Sequence, residues 1–245
     1  MHLYFVLIAA LFSLSTETKT DVAKNSLKGR PKIVDVVASF VGVDSTGKHF
    51  IKRVDYYNEQ GNIVKHEDAD ENGQVGYSIY TYNSNGTLAK EQHTSAVNGR
   101  NTFNFTYKYK AGSIWPTGMD ITGDMAVVFK RLAMVHDSEG NMTKQTAYGS
   151  KDETLAVTEY KYTGGKKVEE LTQSYSEYFE SGKSVSLYND KGVQIGLEQY
   201  GADGKLTNKW KYIYKQHDKE GNWLEKEEWN NGKLNTIEKR TIIYY

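Results

Sequence analysis

The stretch Tyr77-Ser-Ile-Tyr-Thr-Tyr-Asn-Ser-Asn-Gly-Thr-Leu88 decides the fold. Aromatic residues stand at nearly every second place and then give way to Asn85-Gly86. Alternation with a period of two puts one set of side chains on each face of a strand. Asn-Gly tolerates positive φ at both central positions, as a two-residue type I′ hairpin turn demands. The same pair recurs at Asn72-Gly73 and Asn98-Gly99, thirteen residues to either side, with Gly61 and Gly112 continuing the rhythm. Between the last two turns runs Phe103-Asn-Phe-Thr-Tyr-Lys-Tyr109, again alternating. Residues 56–112 therefore read as an antiparallel meander of hairpins.

Outward from this stretch the pattern persists. Counting each turn glycine as zero, an aromatic residue or His lies four before it and an apolar residue two after. Tyr57, Gly61 and Ile63 fit, as do Tyr82, Gly86 and Leu88; His136, Gly140 and Met142; Tyr200, Gly204 and Leu206; and His217, Gly221 and Trp223. The copy at Tyr188 and Gly192 places Gln194 in the apolar position, and Trp229 to Leu234 is one residue shorter. Self-similarity of this kind marks one repeated supersecondary unit. Ile33 to Val43, rich in β-branched residues, reads as the first strand. The alternation fails over Lys110 to Asp124, which holds Trp115-Pro116 and three glycines. That break predicts an insertion near 110–130, and Met125 to Val135 suits either a strand or a short helix.

Tyr57-Asn-Glu-Gln-Gly-Asn-Ile63 and Tyr82-Asn-Ser-Asn-Gly-Thr-Leu88 resemble the Tyr-Asp, or Rhs-type, repeat: aromatic, Asp or Asn, two variable residues, Gly, variable, aliphatic. The C-terminal His217 to Trp223, the turn at Asn231-Gly232 and the closing Ile237 to Tyr245 are similar to the ends of small exported repeat proteins of Bacteroidetes-like bacteria. The resemblance covers most of residues 50–245 outside the insertion. It implies long β-meanders that coil into sheets or shells. Large relatives enclose a toxin, for which this chain has no room.

Composition narrows the function classes. The chain has 245 residues, enough for a substantial core, with Lys plus Arg equal to Asp plus Glu at 31 each. A net charge of zero supplies no field to draw nucleic acid or an anionic membrane surface. Cysteine is absent, which removes disulfides, cysteine-ligated zinc and an acylated lipoprotein cysteine. Leu3 to Leu14 is an apolar run too short to span a bilayer comfortably, and it matches the hydrophobic region of a secretory signal peptide. No Lys or Arg precedes it. The expected organisation is a signal peptide over 1–18, a disordered lead-in over 19–32, and an all-β repeat domain over 33–245. That domain is an antiparallel hairpin meander forming a curled or twisted sheet, Tyr-rich inside and Lys/Glu-rich outside.

Candidate chemistry is sparse. Asp68-Ala-Asp70-Glu-Asn72-Gly73 matches the first half of a calcium-binding EF-hand loop, but Ile79 stands where the bidentate Glu is required. The six histidines show no metal-ligand spacing, so neither a metal nor a cofactor is expected. Carboxylates alternate with lysines, as in Lys226 to Glu228 and Lys166 to Glu170, which reads as a solvated sheet face with cross-strand charge pairs. Trp210, Tyr212 and Tyr214 read as the buried face of a strand. Trp115, outside the repeat, is the one candidate ligand contact. On the residues alone the chain is a non-enzymatic binding or structural module, secreted, periplasmic or at the cell surface, contacting a glycan or a protein partner. An enzyme acting on an extracellular polysaccharide and an outer-membrane barrel stay open as alternatives. Against the barrel, Ile63 to Ala69 carries Lys65 and Glu67 on one face and His66 and Asp68 on the other, so neither would meet lipid.

Overall fold

A computed structural model describes residues 21, 27–41, 50–70, 72–73, 75–95, 101–124 and 128–245. The proposed signal peptide and the turn Asn98-Gly99 lie outside the described residues. Sixteen strands follow one another among those described. They are β1 (Pro31–Phe40), β2 (Phe50–Tyr57), β3 (Ile63–Asp70), β4 (Val75–Tyr82), β5 (Leu88–Ser95), β6 (Asn101–Tyr109), β7 (Pro116–Gly123) and β8 (Phe129–His136). The second half comprises β9 (Met142–Gly149), β10 (Thr154–Thr163), β11 (Lys166–Ser174), β12 (Gly182–Tyr188), β13 (Gln194–Gly201), β14 (Leu206–Tyr214), β15 (Glu225–Asn230) and β16 (Lys233–Tyr244).

Each strand pairs antiparallel with its sequence neighbours, and β1 pairs with β16 from Pro31↔Tyr244 to Phe40↔Thr236. The sheet is a closed barrel, which corrects the expected open, curled sheet. Closure removes the two unpaired edges that an open sheet would expose to another chain. The supposed insertion near 110–130 is corrected too: it contains β7 and leads into β8, both in the ladder. Gly118 hid the strand from an alternation test. A Cβ there would lie 2.6 Å from the Leu132 carbonyl oxygen, so the close backbone approach excludes a side chain.

The thirteen-residue rhythm is one strand plus one turn, but the turns are not the two-residue type expected. Asn58, Asn83, Asp137, Asn189 and Asp218 each accept a hydrogen bond from the glycine three residues on, and each donates its own N–H to the carbonyl four residues on. Only the glycine takes positive φ, for example +82° at Gly86. This is a three-residue loop closed by a glycine bulge, and the strand register shifts beside it, as between Thr81 and Tyr82. The Asn or Asp of the repeat is now explained. Its side chain caps the loop, as Asn58 Oδ1 does at 2.9 Å from the Asn62 N–H. Positive φ at both central positions occurs at Asn231-Gly232 and Gly164-Gly165.

Two repeat aromatics, Tyr82 and Tyr188, share a specific task with three further strand-end tyrosines. At the rim where β1 begins and β16 ends, Tyr109 donates its hydroxyl to the Leu88 carbonyl at 2.7 Å. Tyr162 reaches Met142 at 3.1 Å, Tyr188 reaches Lys167 at 2.8 Å and Tyr214 reaches Gln194 at 3.0 Å. Tyr82 sits 2.8 Å from the Ile63 carbonyl and 2.6 Å from the Asp21 carboxylate. Every acceptor lies two residues past a turn glycine of the preceding hairpin. Tyr245 completes the series by donating to the Tyr57 carbonyl at 2.6 Å, across the closing seam. Asn222 reinforces that seam by pairing with the Lys28 backbone and with the Tyr244 hydroxyl. Asp21 and Lys28 are thereby fixed to the barrel, which corrects the expectation of a disordered lead-in at those residues.

Inside, the wall is not uniform. Phe103, Phe105, Met119, Ile121, Leu132 and Met134 on β6–β8 belong to a buried cluster that extends through β9 and β10. Phe179, in the loop after β11, meets Phe129 edge-on at the opposite rim. Inner residues of β12, β14 and β15 are part-buried or exposed and mostly polar or aromatic.

Replacing Tyr188 by Phe removes one latch without touching the ring. It should cost about 1 kcal/mol, the usual net worth of such a bond, read as a lower urea midpoint with an unchanged m-value. Gly86→Ala should cost at least as much, since alanine is strained at φ +82°.

Candidate functional site on the inner wall

Trp115 lies in the turn between β6 and β7, half-buried, with its backbone N–H and carbonyl both bound to Ser113 Oγ. Its ring stacks on His136 at 6.3 Å. His136 occupies a repeat position held by a latching tyrosine in other copies and has no hydroxyl to donate. The Trp115 ring thus lies beside the one repeat position of this region that lacks a hydroxyl.

The strand register brings together residues that the sequence kept apart. One row round the inner wall runs Val34, Asp55, His66, Ser78, His93, Phe103 across β1–β6. Asp55 is buried, and its Oδ1 lies 2.6 Å from His66 Nδ1. Asp68 Oδ2 lies 2.7 Å from His66 Nε2. Burial opposes a charge on His66, but the two carboxylate hydrogen bonds outweigh it and push the imidazolium up to about 9. With both nitrogens donating, His66 is a fixed cation with no lone pair to act as a base. Asp68 thus faces the inner wall, and Asp70 caps the Asn72 N–H at 2.8 Å, so the half EF-hand resolves into a clamp and a turn.

Next along the row, Ser78 Oγ lies 3.0 Å from His93 Nδ1. Burial lowers the pKa of His93 and raises that of neighbouring Glu91, disfavouring the charged form of each. A nucleophile and base pair needs an access path and a group orienting the base. Ser78 is 2% exposed, and among the described residues no carboxylate hydrogen-bonds His93.

The other polar sector lies on β13–β16. Here Lys226 Nζ bridges Glu228 at 2.7 Å and Glu238 at 3.0 Å, and all three side chains face inward. The expectation that Lys226 and Glu228 lie on a solvated outer face is corrected: a barrel has an interior, and register decides which residues enter it. Beside them, Gln199 pairs with Asn208 and Trp210 with Asn230 in the ladder. Trp210 Nε1 donates to Gln199 Oε1 at 3.3 Å, and Asn230 Nδ2 to Asn208 Oδ1 at 3.4 Å. Asn230 Oδ1 is buried and accepts no hydrogen bond from the described residues. None of these was legible from alternation, which marked Trp210 only as inward-facing.

The outer wall carries the complementary charge pattern. Asp35 meets Lys52 at 2.9 Å, Lys65 meets Glu67 at 2.6 Å, and Lys108 meets Asp120 at 2.6 Å. Lys161 meets Glu169 at 2.6 Å and Lys209 meets Glu198 at 2.8 Å. These pairs sit part-way along the strands, where neighbouring outer side chains are apolar in a membrane barrel.

No protein-family model and no curated protein matches the chain. Among solved structures it is similar to a porin-like protein from Bacteroides uniformis ATCC 8492, with a TM-score of 0.57 and 10% identity over 88% of this chain and 98% of that one. A second similarity is to a putative outer membrane lipoprotein-sorting protein domain from Vibrio parahaemolyticus, with a TM-score of 0.32 and 10% identity over 86% and 84%. At that identity the first similarity shows a shared barrel fold.

The His66 clamp has a definite pH signature. Its folded value is raised to about 9 from 6.5, so its contribution is full below about pH 6.5 and is lost as pH rises through 9. The stability difference between the wild type and His66→Gln should shrink over that window in urea titrations. A difference constant from pH 6 to 10 would contradict the clamp.

Proposed function

We propose that the chain is an exported, water-facing β-barrel that acts as a binding module at the bacterial cell envelope. Its ligand is a glycan held on the inner wall of β13–β15. The observation that carries this reading is the group of Trp210, Gln199, Asn208 and Asn230. Three adjacent strands present an indole and three amides side by side, part-buried, with one amide oxygen lacking a donor. Amides offer a donor and an acceptor at the spacing of neighbouring sugar hydroxyls, and an indole offers an apolar face with a polar edge. An acceptor buried without a partner costs about 1–3 kcal/mol, which a ligand hydroxyl can recover. Export is supported by the apolar run Leu3 to Leu14.

The outer-membrane alternative draws on the closed sixteen-strand topology and on the similarity to the porin-like protein. Electrostatics weighs against it. A Lys or Arg on the lipid face costs roughly 2–4 kcal/mol at the bilayer midplane, and less near the interfaces. Lys52, Lys65, Lys161, Lys183 and Lys209 all project outward on different strands. Ion pairing offsets part of this, but water is the cheaper surrounding. The mature chain should stay in the supernatant without detergent and fail to float with liposomes. A protein extracted only by detergent would favour the membrane alternative.

Binding is checked by calorimetry with the chain from residue 21 onward against neutral oligosaccharides and envelope glycan fragments. Trp210→Ala should weaken the best ligand at least tenfold, ~1.4 kcal/mol. Silence across the whole panel, or equal binding by the variant, would overturn the glycan assignment.

A further inference from the structure

We infer that Arg240, with Arg53, forms an oxyanion-binding site on the inner wall, distinct from the amide and indole group of β13–β15. The ligand group is a carboxylate or phosphate carried by a small molecule entering the barrel. Arg240 and Arg53 lie in one row of the ladder, each opposite Val36 of β1. Two strand spacings, about 10 Å, separate their backbones, a gap that two long side chains can close on a shared anion.

The inner wall supplies an acceptor for each of its other cations near this point. Lys226 is held by Glu228 and Glu238, and His66 by Asp55 and Asp68. Arg53 shares Asp55 at 3.7 Å. Arg240 differs. Its guanidinium carbon lies 3.4 Å from the Trp223 ring centroid, and among the described residues it makes no ion pair. Its Nε is buried with no hydrogen-bond partner. An indole face attracts a cation but cannot accept the in-plane N–H groups of a guanidinium, which point past the ring. The protein has thus seated the guanidinium on the indole and left its buried Nε–H without an acceptor among the described residues. A planar fork of N–H donors is matched by the two oxygens of a carboxylate or phosphate. Burial and the charge of Arg53 lower the Arg240 value to about 10, as expected where a cation lacks a counter-ion. Glu238 and Asp55 are near enough to be felt, yet both are engaged by other cations.

Ligands that differ only in charge test the site: glucose, glucuronate and glucose 1-phosphate, each added to the chain from residue 21 onward. Thermal unfolding and tryptophan emission are the readouts. At least one of the two anions should raise the midpoint and change the emission where glucose does not. Whichever anion acts identifies the source, carboxylate or phosphate. Arg240→Gln should weaken the effect at least tenfold, and Arg53→Gln several-fold. Trp210→Ala should leave it intact, so loss of glycan binding and loss of anion binding are separable. No response of the wild type to either anion, or an equal response from Arg240→Gln, would overturn the site. Should Arg240→Gln fail to fold, the comparison of glucose with the anions in the wild type and in Arg53→Gln decides.

Discussion

Everything in this barrel depends on the contact of a tyrosine hydroxyl with the backbone of the neighbouring hairpin. A hairpin meander has no intrinsic reason to close, because each unit pairs only with the next. The latch supplies a second bond between successive hairpins at one rim, and Tyr82, Tyr109, Tyr162, Tyr188 and Tyr214 each make it to the carbonyl two residues past a turn glycine. Repeating the same reach at five positions gives those hairpins the same relation to their neighbours, which favours curling the sheet into a ring. Tyr245 adds a hydroxyl-to-carbonyl bond across the closing seam, to Tyr57 ahead of its turn and 188 residues away. The repeat pattern is then a set of joined parts. Asn or Asp caps the loop, glycine takes the positive φ, the next position but one offers its carbonyl, and the aromatic of the following copy takes it.

Closure also creates an inside, and that changes what charge means. On an open sheet, alternating lysines and glutamates describe a wet surface. In the barrel the same alternation sends Lys226 and Glu228 inward while Glu227 and Trp229 face out. The inner wall becomes a place where cations must be answered by carboxylates, and it answers them in two groups, Lys226 with Glu228 and Glu238, and His66 and Arg53 with Asp55 and Asp68. Arg240 stands between those groups and, among the described residues, stacks on an indole and makes no ion pair. The apolar side of the interior, on β6–β10, supplies the dry packing that a wall of ion pairs cannot. Buried charge pairs recover little beyond their desolvation, whereas burial of Phe105, Met119 and Met142 removes apolar surface from water outright.

Alternation and turn chemistry by themselves determined that the chain is all-β, antiparallel and repetitive, and where most hairpins turn. They did so because strand periodicity and the conformational demands of turns are local. The same local rules failed at β7, where glycine and proline masked a strand, and at Asn85-Gly86, where the dipeptide suited a two-residue turn but the longer loop bonded better. Trp115 stood out only because the repeat faltered there. The candidate site was not legible. Its members come from β1–β5 and β13–β16, and only the closing pair β1–β16 makes those strands neighbours. Which face of each strand looks inward, whether a carboxylate meets a lysine or a histidine, and that Arg240 meets neither, were decided by register and closure. Those are properties of the whole ring, and no window of sequence contains them.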